Sequence, residues 1–184
     1  MVSGPSGVGK GAIVQRLLRL IGDVQLSISA TTRPARPGEV EGVHYYFMDP
    51  EEFQAVVDRG GFLEWADVFG RRYGTPRSPV EQALAAGRDV LLEVNVDGAR
   101  QVRAGTDEAH LVFVRPPTLA ELERRLRLRG TECEDQVRRR LTAATEELRT
   151  EPEFDETIVN DDLDTAVRAV ADAIARLRAR DRGP

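Results

Sequence analysis

The chain has 184 residues, 41% of them hydrophobic and 31% charged, enough to bury one substantial core beneath a hydrated surface. A net charge of −5 gives no general attraction to nucleic acid or an anionic membrane, and no apolar run reaches bilayer length, so neither partner is expected. The one cysteine, Cys133, excludes an internal disulfide and a cysteine-built zinc site and suits a reducing cytoplasm, the expected location.

The chain opens on "MVSGPSGVGKGA". Gly4, Gly9 and Lys10 fit the spacing G-x-x-x-x-G-K of a phosphate-binding loop. Glycines let backbone N–H groups curl around phosphate oxygens, and a helix starting at the loop adds the positive end of its dipole. The competing reading is a glycine-rich turn that merely precedes a helix. Of 26 basic residues all but Lys10 are arginine, so the single exception stands where a compact ammonium suits a phosphate cradle. Two features depart from the motif. Gly11 and Ala12 follow the lysine where a Ser or Thr hydroxyl normally ligates Mg²⁺, and one such lost bond is worth about 1.5–3 kcal/mol. Only Met1 to Ser3 precede Gly4, whereas a buried central strand runs to about five or six residues, so a start further upstream is expected.

After the loop, Val14, Leu17, Leu18 and Ile21 repeat at helical spacing up to Gly22. Residues 30–85 are rich in Gly, Pro, Thr and aromatics and predict a small mixed insertion. The runs "DVLLEVNV" (89–96) and "HLVFV" (110–114) read as strands buried on both faces, and "ETIVN" (156–160) reads as a strand. "PPTLAELERRL" predicts a helix with a Thr118–Glu121 capping box. "TECEDQVRRRLTAATEEL" predicts another, with a Thr131–Glu134 box and a narrow stripe of Val137, Leu141, Ala144 and Leu148. A last helix carries Leu163, Val167, Val170, Ile174 and Leu177 on one face. Strands alternating with helices imply an α/β fold, a parallel sheet flanked by helices and joined by right-handed crossovers.

In order and spacing, "SGPSGVGKG", "SISATTRPARPGEVEGVHYYF", "GFLEWADVFGRRYGTPR", "LLEVNVDGARQV", "RRLRLRGTE" and "VNDDLD" resemble the guanylate kinases. The resemblance covers nearly the whole chain. It implies one domain over 1–184, with a phosphate-loop core, a GMP-binding insertion at about 30–85 and a helical lid at about 127–148. The implied reaction moves the γ-phosphoryl of ATP, carried with Mg²⁺, onto the phosphate of GMP or dGMP. Gly4, Pro5, Ser6, Gly7, Val8, Gly9, Lys10 and Gly11 would bind ATP. Arg33 and Arg36 in "TTRPAR" would clamp the GMP phosphate with the hydroxyls of Tyr45 and Tyr73, and Ser29 and Thr75 would face the nucleotide. Separate surface arginines and core tyrosines are the bland alternative. Guanine offers adjacent N1–H and N2–H donors. Glu64 in "FLEW" matches the family's acceptor for them, unless it simply lies on a solvated strand face. Glu93 and Asn95 fall in the guanine and metal region. Lys10, Arg36 and the lid arginines Arg129 and Arg140 would neutralise developing charge, while Arg138 and Arg139 read as solvated neighbours. Asn160 corresponds either to the side of the adenine or to a cap on the last helix.

"EVNVDG" departs from the family's acid–x–Asp–x–Gln–Gly. Positions 93, 95 and 97 alternate onto one side if the strand continues, which moves a carboxylate to Asp97. Asp97 is expected not to compensate fully for Asn95, leaving affinity for GMP or Mg²⁺ reduced. An active kinase is the leading expectation. The alternatives are a guanylate-kinase-like binding scaffold with weak or lost catalysis and a related nucleotide kinase with a different acceptor.

Overall fold

The structure is a computed structural model that describes residues 1–128 and 134–181. The chain forms two compact units, each assembled from separated stretches of sequence.

The first unit comprises residues 1–22, 93–96 and 110–184. Its sheet is wholly parallel. The strand β1 (Val2–Ser3) pairs with β8 (Val112–Arg115), which pairs with β9 (Glu156–Val159). On its other side Val2 bridges Glu93, and Val94 N donates to Val2 O at 3.1 Å. β1 has two residues, and both are fully buried. β8 is buried along most of its length, as expected of a parallel strand covered on both faces.

The helix α1 (Lys10–Leu20) buries Ile13, Val14 and Leu17 and packs against α7 (Leu163–Asp181), whose Ala166, Val167, Val170 and Ala173 are buried. The helices α5 (Leu119–Leu128) and α6 (Glu134–Leu148) share a satellite core of Leu122, Leu126, Val137 and Ala144, with Leu141 packed on it. The narrow stripe expected for α6 is thus its contact with α5. Thr118 caps α5, its hydroxyl accepting from Glu121 N at 3.1 Å, while the Glu121 carboxylate binds Arg124 and Arg125. The expected Thr131–Glu134 box lies partly outside the described residues.

The second unit comprises residues 23–92 and 97–109. The strands β2 (Val24–Leu26) and β7 (Asp89–Leu91) form a parallel pair. A mixed sheet of order β4-β3-β6-β5 joins β3 (Ala30–Thr31), β4 (Tyr46–Phe47), β5 (Phe62–Val68) and β6 (Arg71–Pro76). β3 runs parallel to β4 and antiparallel to β6. A Phe69–Gly70 turn with both φ positive joins β5 to β6, and Gly70 N is held by Asp67 at 2.8 Å. The helix α2 (Pro50–Asp58) begins in a full capping box between Asp49 and Glu52 and buries Phe53 and Val56 against Ala30 and Phe62. The helices α3 (Arg77–Ala85) and α4 (Val96–Gly105) complete the elements.

One boundary corrects the sequence reading. The strand expected over 89–96 ends at Leu91, Glu93 makes a single bridge, and helix begins at Val96. The apolar run continues because these residues stay buried through the strand-to-helix turn, and burial alone does not distinguish strand from turn.

Candidate active site

In the first unit the loop from Gly4 to Gly9 joins β1 to α1 without a side-chain cap on the helix. Gly9 at the N-cap brings no side chain to the first-turn N–H groups, which suits this helix start to an anionic ligand. Gly4, Gly7 and Gly9 have φ of 137°, 87° and 99°, the left-handed region that only glycine occupies without strain. Space is as tight as the torsions. A Cβ on Gly4 would fall on the carbonyl oxygen of Val114, and one on Gly7 would lie 2.6 Å from Leu126 Cδ2. Ser6 N donates to the Glu147 carboxylate of α6 at 3.3 Å. Lys10 Nζ donates to the carbonyls of Gly4 at 2.5 Å and Pro5 at 3.2 Å, which folds its ammonium back over the loop.

Asn160 is buried, and its Nδ2 donates to Val8 O at 2.7 Å. This ties the end of β9 to the phosphate loop. Of the two readings of Asn160, the helix cap is overturned: Asp162 receives Thr165 N at 2.9 Å at the start of α7. Competition by Asp162 for that role was not visible because "NDD" offers three candidate caps in a row.

The Glu93 carboxylate lies beside the start of α1, where a Cβ on Gly11 would be 3.6 and 3.7 Å from its oxygens. Burial pushes its pKa above the usual value, and the charge of Lys10 partly opposes this. Asn95 is half-buried. Asp97 lies in the first turn of α4, exposed, with Arg100 at 3.4 Å. The alternation of 93, 95 and 97 along one strand is therefore overturned, since the third position is helical. Ala12 is exposed on α1. Arg140 sits half-buried on α6, and Arg129 lies outside the described residues.

In the second unit three stretches of the mixed sheet bring five of the expected GMP residues to one region. Tyr45 and Tyr73 meet edge to face, ring centroids 6.1 Å apart. The Arg33 guanidinium lies 5.3 Å from the Tyr45 centroid and 5.9 Å from that of Phe47. Glu64 and Thr75 are paired in register across β5 and β6, and the Thr75 hydroxyl donates to Glu64 Oε1 at 2.6 Å. Glu64 is only 6% exposed, so the solvated-face reading is overturned. Its pKa is raised by burial, against the lowering effect of the Thr75 hydroxyl and backbone. Ser29 is half-buried, its carbonyl accepting from Tyr46 N at 2.9 Å. Arg36 is exposed.

Sequence reasoning missed Glu39. Its carboxylate takes Arg33 Nη1 at 2.9 Å, Arg33 Nη2 at 2.8 Å and Arg36 N at 2.7 Å. The Arg33 hydrogen bonds, more than any other cause, hold its pKa down at about 2. A carboxylate six residues from its arginine across a Pro- and Gly-containing loop has no periodic signature. Gln101 of α4 was missed too: it exchanges both amide hydrogen bonds with the Trp65 backbone at 2.7 and 3.1 Å. Among the described residues no His, Cys, Asp and Glu cluster could hold a metal, and no helix is long and apolar enough to cross a membrane.

A family model described as guanylate kinase matches residues 1–177. A guanylate kinase of Prochlorococcus marinus (strain MIT 9313) is 54% identical over 167 residues, covering 91% of this chain and 88% of its own length. One from Thermobifida fusca (strain YX) is 52% identical over 179 residues, 97% of this chain and 89% of its own. The crystal structure of guanylate kinase from Anaplasma phagocytophilum matches with a TM-score of 0.79 at 32% identity, over 98% of this chain and 85% of that one.

Proposed function

Since the chain belongs to the guanylate kinase family and transfers a phosphoryl group from ATP to GMP, we propose a division of that work among its residues. The loop from Gly4 to Gly11 receives the ATP phosphates on its N–H groups, and Lys10 leaves the Gly4 and Pro5 carbonyls to meet the β- and γ-phosphates. Asn160 fixes the loop through Val8 O, so its part in ATP binding is indirect. Arg33, Arg36, Tyr45 and Tyr73 hold the GMP phosphate. Glu64, oriented by Thr75, accepts from guanine N1–H and N2–H, and Ser29 lies on the same nucleotide. dGMP serves as acceptor too, because none of these contacts needs the 2′-hydroxyl.

The acceptor oxygen is already ionised, so no general base is required. Catalysis rests on alignment and charge neutralisation by Lys10, Arg36, Arg129 and Arg140. Mg²⁺ enters with ATP. No hydroxyl follows Lys10, and the hard oxygen donor beside Gly11 is Glu93, which fits an ion held mainly by phosphates and water with one carboxylate nearby. Bound there, Mg²⁺ would supply charge neutralisation on the β- and γ-phosphates. The whole chain acts as one catalytic domain, with residues of about 30–85 serving GMP and about 127–148 serving as the lid.

The buried Glu64–Thr75 pair is the observation that carries the acceptor assignment. A carboxylate kept in a desolvated place at a cost in free energy, with one oxygen already satisfied by a hydroxyl, is suited to a ligand that brings two adjacent N–H donors. ADP formation from Mg·ATP with GMP, dGMP, AMP and UMP as separate acceptors tests it. Turnover confined to GMP and dGMP is expected. Equal turnover with AMP overturns the role of Glu64, and no turnover from folded protein would favour the scaffold reading.

A further inference from the structure

We propose that Glu39 is a positioning residue for the acceptor nucleotide, fixing the Arg33 guanidinium so that one of its edges faces the GMP phosphate; this rests on the reading of Arg33 as a phosphate ligand.

The hydrogen bonds of Arg33 can be counted atom by atom. Nη1 gives its two hydrogens to Glu39 Oε2 at 2.9 Å and Pro34 O at 2.7 Å, and Nη2 gives one to Glu39 Oε1 at 2.8 Å. Glu39 thereby occupies the end of the fork. The Nε–H and the second Nη2–H form the other edge, the guanidinium also interacts with the Tyr73 side chain, itself assigned to the phosphate, and two parallel donors of this kind match two oxygens of a phosphate. The Tyr45 and Phe47 rings flank the guanidinium at 5.3 and 5.9 Å and limit where it can lie, and the two Glu39 oxygens fix its orientation. The ion pair is largely enclosed, with 12% of the Arg33 side chain and 17% of the Glu39 side chain exposed. The same carboxylate accepts from Arg36 N, and Glu39 N donates to Arg36 O at 3.0 Å, so one residue closes the loop that carries both arginines.

The proposal opposes what charge alone predicts. A carboxylate beside a dianion repels it, so removing the charge of Glu39 would by electrostatics tighten GMP. If the carboxylate instead holds the donor edge in place, removing it weakens GMP binding. The two accounts differ in sign.

The experiment compares Glu39→Gln, Arg33→Lys and the double variant by steady-state kinetics, with GMP and ATP varied in turn and melting temperatures recorded. Glu39→Gln is expected to raise KM for GMP about tenfold, with kcat and KM for ATP changed less than about threefold, the pattern of lost uniform binding. Arg33→Lys raises KM for GMP as well, and the double variant is no worse than Arg33→Lys alone, because Glu39 acts through Arg33. An unchanged or lowered KM for GMP in Glu39→Gln, or additive effects in the double variant, overturns the inference while the site assignment stands. A loss of kcat and of ATP affinity together with the melting transition assigns Glu39 a merely structural role and also overturns it. If Arg33→Lys leaves KM for GMP unchanged, the assignment of Arg33 falls and the inference with it.

Discussion

At the scale of single residues, two side chains carry opposite departures from what their surroundings favour. Ala12 is exposed in the first turn of α1 and lacks the hydroxyl that commonly serves Mg²⁺ at this end of a phosphate loop. Ala12→Thr should lower KM for Mg·ATP by about threefold to tenfold, at a helix-propensity cost near 0.5 kcal/mol; initial rates and a thermal melt measure both. Glu64 is a carboxylate whose pKa burial raises. The folded protein therefore binds this proton more tightly than the unfolded chain does. The resulting stability is present below the ordinary carboxylate value and is lost as pH rises through the raised pKa. GMP binding has the opposite slope, because the ionised form accepts from guanine. The acid limb of kcat/KM for GMP should consequently lie above the usual carboxylate range. Glu64→Gln should remove the part of that limb due to Glu64, leaving the ionisation of the GMP phosphate (second pKa about 6), and lower kcat/KM for GMP by about a hundredfold or more, as read from pH–rate profiles of both proteins.

At the scale of elements, the phosphate loop is specified as much by what lies behind it as by its own glycines. Gly4 has a φ of 137° and backs directly onto the Val114 carbonyl of β8. Gly4→Ala should cost about 2–4 kcal/mol of stability and raise KM for ATP, measured by denaturant titration and initial rates, because both the torsion and the backbone contact resist a methyl group. α5 was legible from its Thr118 cap and apolar spacing, and α6 from its narrow stripe, since both signals are local. The end of β7 was not legible. "LLEVNV" alternates and is apolar whether it continues as strand or turns, and the choice follows from Val94 N pairing with Val2 O. The capping box of α2, Asp49 with Glu52, is a local signal in "DPEEF" that the reading of 30–85 as one mixed insertion passed over.

At the scale of the whole molecule, the chain returns repeatedly to each of two compact units. In the first, Phe113 is fully buried in the middle strand of the parallel sheet, its ring 4.9 Å from that of Phe154. Phe113→Ala should destabilise the protein by about 3–5 kcal/mol, seen as a lower denaturant midpoint with an unchanged slope. In the second, β5 is an edge strand whose Trp65 backbone is occupied by Gln101 of α4. That pairing withholds one pair of edge groups from association with another strand.

The sequence by itself determined the phosphate loop, the alternation of helix and parallel strand, and the family with its reaction. Each is written in short-range spacing: two glycines five residues apart with a lysine next to the second, helical periodicity, β-branched runs. Tertiary structure decided what those residues do in their places. Whether Glu64 is solvated or buried depends on the register of β5 against β6. Whether Asn160 caps a helix or braces the loop depends on Val8, 152 residues away. Whether Arg33 presents one edge or its whole fork depends on the fold of a proline- and glycine-containing turn that brings Glu39 back to it. Spacing encodes local conformation, but burial and hydrogen-bond partners arise between distant segments, and only the folded chain brings those segments together.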